Sequence, residues 1–293
     1  MKEYLLRQGF SRVVTLRPAD CGIETQEQTL YLCLWSYLPA ELPEPGTAAI
    51  HPYYPASQKA YQTARQAVAE GTARGLHLRQ DTALRLKPIF AHLHGFSQGY
   101  NTLSYVAGMG SRFHVQVLFM QEAADFYDEQ SWEAAPHTLH CGTCRRCMEA
   151  CPTGAITEEG FVRARCLRNW MMSGKPIPED MRAPMKNMLV GCDICQRCCP
   201  HNAKLPEQSG EGVSIAELLI HPKETTAQLI PHIGANLALP NRVLGQALLC
   251  AGNSGDASLL PLVEALTVHP SPLVQEHARW AKKQMEKHET DET

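Results

Sequence analysis

Nine of the chain's twelve cysteines fall between Cys141 and Cys199, and their spacing is the strongest chemical signal in the 293-residue sequence. The first run reads Cys141-x2-Cys144-x2-Cys147-x3-Cys151-Pro152. Two-residue gaps let three thiolates and the turning backbone amides wrap one iron–sulfur cubane, while the cysteine before the proline is directed to a second cluster. Zinc sites use two CxxC pairs or Cys/His mixtures instead. The second run, GCDICQRCCPHN, offers Cys192, Cys195, Cys198 and Cys199, and Cys166 stands alone between the runs. The pattern predicts two [4Fe–4S] clusters, with nine cysteines competing for eight ligand positions.

Cys199 precedes Pro200 as Cys151 precedes Pro152. By the exchange rule it crosses to the first cluster and joins Cys141, Cys144 and Cys147. The second cluster takes Cys151, Cys192, Cys195 and one more thiol. That thiol is Cys166, with Cys198 spare, or Cys198 as in a plain ferredoxin, with Cys166 spare; spacing alone leaves both open. Cys21, Cys33 and Cys250 lie in apolar surroundings and read as small core residues. Two clusters are two one-electron carriers, so the chain must deliver electrons to another protein or to a site of its own.

Composition narrows the setting. A hydrophobic content of 44% supports a buried core, and the length suggests two or three domains. With a net charge of -3, no whole-chain charge drives binding to nucleic acid or to a membrane. From Arg145 to Lys204, however, ten Lys/Arg face six Asp/Glu, a surplus of four. That suits a solvated face around an anionic cofactor, or a contact surface for RNA. The N-terminal MKEYLLRQGF shows no long apolar stretch and no cleavage motif, and the longest apolar run, Leu30 to Leu38, is too short to span a bilayer. The expectation is a soluble, cytoplasmic protein with no membrane partner, in which cysteines bind metal rather than pair as disulfides.

The elements that must position these cysteines fall into three segments, giving an α+β multidomain class. Residues 1–133 read as mixed α/β: strands at Val13 to Leu16, Leu30 to Leu38, Leu103 to Ala107 and Val115 to Phe119, and a long helix at Ala56 to Gly75. Glycines crowd Gly95 to Gly110, which predicts tight turns and close backbone approach. Residues 134–211 form the bacterial two-cluster, ferredoxin-like segment, where metal rather than core supplies the organising energy. Residues 212–293 are helical, with helices over Ile215 to Ile220, Arg242 to Ala251, Ser258 to Val268 and Pro272 to Lys287. The pairing of ALLCAGNSGDASLLPLVEAL with PLVQEHARWAKKQM resembles about one and a half HEAT-type repeats.

CGTCRRCMEACPTGAI, the isolated Cys166, KPIPEDMR, GCDICQRCCPHN and the HEAT-like end together resemble the epoxyqueuosine reductase family, cobalamin-dependent iron–sulfur enzymes of tRNA queuosine synthesis. The resemblance is strong from about residue 137 onward and weaker before it. It implies Cys166 as a ligand and Cys198 as the extra thiol, because the family's second run has three cysteines. It also implies that residues 1–133 are a corrinoid-binding-type domain. Ile50 to Tyr53 resembles the family's Ile-x-x-Tyr. Gly95, Gly99, Asn101, Thr102, Gly110 and Ser111 follow its glycine-rich corrinoid stretch with one residue deleted, and Asp81-Thr82 falls where the family has its catalytic aspartate. The family's Pro-x-x-Glu-Arg and Asp-Tyr-His are replaced here by Leu84 with Lys87-Pro88 and by SQKAY, and the N-terminal segment is shorter; the chain reads as a divergent, N-terminally shortened relative. These departures leave open a substrate other than epoxyqueuosine in tRNA, or a two-cluster electron-transfer or corrinoid-binding protein without catalysis. In the enzyme reading, an external donor such as a flavodoxin or ferredoxin feeds the clusters, the clusters feed the corrinoid, and Asp81, if burial keeps it protonated, supplies the proton. The structural alternative for Asp81 is a helix N-cap ahead of TALRL.

Other residues weigh less. His92 and His94 would share a face only on a strand. His137 and His140 flank the first cysteine run and could reach cluster sulfur, or sit on the surface. Tyr53, Tyr54, Tyr100 and Tyr105 could line a flat cofactor face or belong to an aromatic core.

Overall fold

The computed structural model describes residues 1–41, 44–128, 141–171, 173–202, 205–210 and 212–291, with side chains to 287. The chain has a mixed α/β fold and divides into two compact units, each discontinuous in sequence. Unit 1 comprises 1–38, 56–145 and 199–204; unit 2 comprises 39–55, 146–198 and 205–293. Composition along the chain shows nothing of this interleaving.

Unit 1 is built on a four-stranded antiparallel sheet in the order Arg12–Leu16, Thr29–Ser36, Phe113–Met120, Leu78–Asp81. The run Leu30-Tyr31-Leu32-Cys33-Leu34 is wholly buried because both sheet faces are covered. Leu30, Leu32 and Leu34 face Phe90, Leu93 and Phe96. Tyr31 and Cys33 face the opposite way, onto Ala60, Ala64 and Ala67 of the helix Tyr53–Ala73. Those alanines recur at helical spacing and are small, so the helix lies close to the sheet. The strands expected at Val13 to Leu16 and Val115 to Phe119 are present with slightly wider bounds. The apolar run at Leu30 pairs only as far as Ser36. A two-stranded hairpin, Phe96–Gln98 against Ser104–Val106, carries the glycine-rich segment.

Unit 2 holds a three-stranded sheet in which Thr47–Ile50 lies between Met188–Val190, parallel to it, and Gly212–Ser214, antiparallel. Its core is centred on the helix Pro240–Ser254, buried continuously from Val243 to Gly252. The helix packs among Ile215–Ile220, Pro222–Ile233 and Pro272–Asp291. The helix expected over Ser258 to Val268 is broken into a 3-10 turn, a short α-helix at Leu260–Ala265 and a second 3-10 turn. Pro261 accounts for the start of that short helix, since it can occupy only the first turn.

Gly252 sets the closest approach in this core. A Cβ there would lie 2.8 Å from the Ala281 Cα and 2.9 Å from the Trp280 ring. Gly252→Ala gains helix propensity but forces two packed backbones apart. The expected net loss is about 1–2 kcal/mol, read as a lowered thermal midpoint of the iron-loaded protein.

Candidate iron–sulfur site

In unit 2, Cys147 lies in the one-turn helix Arg146–Glu149, Cys166 between a 3-10 turn and the helix Leu167–Met171, and Cys195 in the helix Ile194–Arg197. Cys151 sits in a cup of donors: the Ala155 amide reaches its sulfur at 3.3 Å, and Thr153 Oγ1 lies at 3.6 Å. Burial pushes this thiol up, but Thr153 and the Ala155, Thr153 and Gly154 amides outweigh it and hold it below the ordinary range. The Pro-Thr-Gly turn after Cys151 thus prepares a thiolate.

Cys192 and Cys195 are the opposite case. Burial pushes Cys192 up to about 12, with Asp193 and the charges of Cys166 and Cys151 adding to it. Cys195 is raised by burial and then by Cys192, Cys166, Cys198 and Cys147. These thiols therefore lie within electrostatic reach of one another, and a bound cation of high charge is what makes several adjacent thiolates favourable. Iron binding must release their protons.

The surrounding residues hold this group in place. The Arg168 guanidinium lies 5.7 Å from the Tyr53 ring centre and is drawn toward Tyr54 and Cys166. Tyr53 and Tyr54 meet edge to face at 5.4 Å. Arg197 Nε donates to Asp193 at 3.0 Å, and Asp193 Oδ2 lies 3.8 Å from His51 Nε2. Gly191, at φ +91°, leaves room for His51 and Tyr54, whose side chains a Cβ would meet at 2.6 and 2.7 Å.

In unit 1 the remaining thiols meet the glycine-rich segment. The Cys144 amide donates to the Cys141 carbonyl at 2.7 Å, and Tyr100 Oη donates to Gly142 O at 3.3 Å. Arg145 stacks over Tyr100 at 5.3 Å. Tyr105 Oη donates to Cys199 Sγ at 3.3 Å and accepts from Asn101 Nδ2 at 2.9 Å. The Ser111 amide and hydroxyl bind the two ends of the Asn202 amide at 2.9 and 3.0 Å. Gly110, at φ +63°, makes room for this, since a Cβ would collide with Asn202 and the His201 carbonyl.

Asp81, Gly95, Gly99, Asn101, Thr102, Gly110 and Ser111 thus all lie in unit 1, and Tyr53 lies in unit 2. Gly110 and Ser111 meet the Cys199–Asn202 segment directly, and Asn101 reaches it through Tyr105. Gly95 and Gly108, both at φ +80°, stay open: a Cβ at Gly95 would come no nearer than 3.8 Å to Arg12, and one at Gly108 would meet nothing within 4 Å. That open backbone fits the close approach of a flat cofactor. Thr102 holds φ +60° in the turn after Gly99, a costly conformation for a β-branched residue.

Asp81 ends a strand instead of capping a helix, and Oδ1 accepts from the Ala83 and Leu84 amides at 2.8 and 2.9 Å. Oδ2 pairs with Arg79 at 2.9 Å. The Ala83 amide and Arg79 outweigh burial and hold the carboxyl below its usual range. In this conformation Asp81 is partly buried, and its contacts favour the carboxylate over the burial-protonated acid expected from sequence. His92 and His94 sit in a turn, one half-buried and one exposed, and His137 and His140 lie outside the described residues.

The fold and the cysteine pattern define a two-cluster iron–sulfur protein. Residues 140–202 match the family model of a 4Fe-4S double cluster binding domain. In sequence the chain is similar to epoxyqueuosine reductases. It is 32% identical over 203 residues to that of Alicycliphilus denitrificans, covering 63% of this chain and 54% of the relative. With that of Pseudomonas aeruginosa it shares 29% identity over 239 residues, 75% of this chain and 63% of the relative. The chain spans about half the length of the curated relatives it matches. Its fold is that of the epoxyqueuosine reductase from Streptococcus thermophilus, with a TM-score of 0.74 at 17% identity over 97% of this chain and 89% of that one. It is equally that of an epoxyqueuosine reductase solved with an epoxyqueuosine-modified tRNA-Tyr stem loop, with a TM-score of 0.75 at 18% identity over 97% and 88%. No helix among the described residues is long and apolar enough to cross a membrane.

Proposed function

We propose that the chain is a cobalamin-dependent iron–sulfur reductase of the epoxyqueuosine reductase type, acting on epoxyqueuosine in tRNA. The observation that carries this is a double-cluster segment embedded in a fold shared with epoxyqueuosine reductases over nearly the whole chain. The surplus of basic residues from Arg145 to Lys204 supports a polyanionic substrate. Segments 1–133, 134–211 and 212–293 would then serve as corrinoid-binding, ferredoxin-like and HEAT-like domains.

In this reading Cys141, Cys144, Cys147 and Cys199 hold the first cluster, and Cys151, Cys166, Cys192 and Cys195 the second. An external flavodoxin- or ferredoxin-type donor supplies single electrons. Cobalamin, when bound, supplies a reducible cobalt centre that passes electrons to the electrophilic carbon. The open backbone at Gly95 and the Thr102 turn would hold it, whereas Gly99, Asn101, Gly110 and Ser111 support it indirectly through Tyr105 and the Cys199 segment. Asp81 would supply the proton only after leaving Arg79 and its own loop amides, which hold it ionised, and taking up a proton from solvent. A Bacillus subtilis epoxyqueuosine reductase has been solved with its catalytic aspartate loop swung out of the active site, and the self-capped Asp81 is in keeping with such an arrangement.

Producing the chain in a strain lacking its own epoxyqueuosine reductase, and analysing the tRNA nucleosides, tests the reading. Queuosine is expected to replace epoxyqueuosine, and Asp81→Asn to abolish the conversion while keeping the iron. Persistence of epoxyqueuosine with a fully iron-loaded, corrinoid-supplied chain would reject this activity and leave an electron carrier.

A further inference from the structure

We propose that Tyr105 is a positioning residue whose hydroxyl donates a hydrogen bond to Cys199 and thereby raises the reduction potential of the cluster that Cys199 holds. The proposal rests on the reading of Cys199 as a cluster ligand.

Three groups face the Tyr105 hydroxyl: the Asn101 amide, the Ser111 side chain and the Cys199 sulfur. Tyr105 is 2% exposed, on the strand Ser104–Val106. Its oxygen accepts from Asn101 Nδ2 at 2.9 Å and lies 3.3 Å from Cys199 Sγ. The orientation of the Asn101 amide is set independently, because its Oδ1 accepts from the Leu103 amide at 3.2 Å. Ser111 Oγ accepts from Asn202, so its O–H, like the Asn101 amide, serves the acceptor side of the phenol, and the phenol's own proton turns to sulfur.

Both partners are held from behind. Gly99 leaves space for the pair, since a Cβ would lie 2.9 Å from Asn101 Oδ1 and 3.0 Å from the Tyr105 ring. On the other side, the Asn202 amide donates to Cys199 O at 3.0 Å, and its side chain is clamped by Ser111. A donor fixed in a buried setting withdraws charge from a thiolate, and it stabilises the state carrying the extra electron more than the state without it. A buried tyrosine that only packs beside the sulfur without donating to it would leave the potential unmoved.

The test is a redox titration followed by electron paramagnetic resonance on the full chain, anaerobically loaded with iron. Tyr105→Phe is expected to keep both clusters and to shift one of them downward. At the wild-type midpoint, the ratio of reduced to oxidised cluster should fall by roughly threefold to tenfold, at most about 59 mV for a one-electron centre. Asn101→Ala leaves the phenol without its anchor and should shift the same cluster the same way by less; it decides the matter if Tyr105→Phe does not load. Two unshifted potentials in loaded variants overturn the proposal and leave the ligand assignment standing. Cys199→Ser separates the other failure: if both clusters and both potentials survive it, Cys199 is no ligand and the proposal falls with that assignment.

Discussion

Cys166→Ala is expected to halve the iron of the anaerobically loaded protein, from about eight to about four per chain, while Cys198→Ala leaves it at about eight. The two variants divide the alternatives that spacing left open. Within unit 2, the charges felt at Cys192 include those of Cys166 and Cys151, and Arg168 is drawn to Cys166 and Tyr54 at the same place. Cys198 turns back on its own helix, with its sulfur 3.6 Å from the Cys195 carbonyl. Losing Cys166 leaves Cys151, Cys192 and Cys195 one thiolate short of a cubane's four ligands. Iron and sulfide analysis, with the visible charge-transfer absorbance, reads the outcome. Half the iron in Cys198→Ala and full iron in Cys166→Ala would establish the ferredoxin assignment instead.

Acidification is expected to weaken unit 2 through His277. The imidazole is 1% exposed, accepts from the Ile177 amide at Nε2 (3.1 Å) and contacts Gly245 O at Nδ1 (2.8 Å), which fixes the neutral Nδ1–H tautomer. Burial, with Arg182 adding to it, pushes its pKa down to about 4 against the Gly245 and Glu276 contributions. Because the folded value lies below the unfolded one near 6.5, the unfolded chain binds the extra proton first, and stability falls as pH drops from about 6.5 toward 4. The loss is on the order of 3 kcal/mol by pH 4, about 2 of it already at pH 5. His114, also pushed down to about 4 by burial, adds the same trend in unit 1. Urea unfolding of the iron-loaded wild type and His277→Gln between pH 7 and 5 isolates the effect, since acid lability of the clusters is common to both. Parallel pH profiles would show that His277 does not titrate on unfolding.

Several features were readable because they depend on local chemistry. The strand cores around Val14, Leu32 and Val117, and the helices starting near Tyr53, Pro240 and Pro272, follow from apolar runs, alanine spacing and prolines at helix starts. Thr47–Ile50 escaped notice because four residues after a proline-rich loop form a strand only when Met188–Val190 and Gly212–Ser214 pair with it. Pro222–Ile233 was hidden by the prolines at both of its ends. Asp81 was legible as a polar residue before a turn, but its ionised state depends on Arg79 and two amides folded back onto it.

The sequence by itself determined the double-cluster character of this protein, because cubane ligation needs a fixed short spacing of thiols that chance does not reproduce. Only the tertiary structure decided what the glycine-rich segment does. Gly99 and Gly110 resemble cofactor-binding glycines in sequence, yet the space they leave is filled by Asn101, Tyr105 and Asn202. The reason is physical: a missing Cβ marks close approach but carries no record of which atoms approach, and at Gly110 those atoms belong to Asn202, distant in sequence.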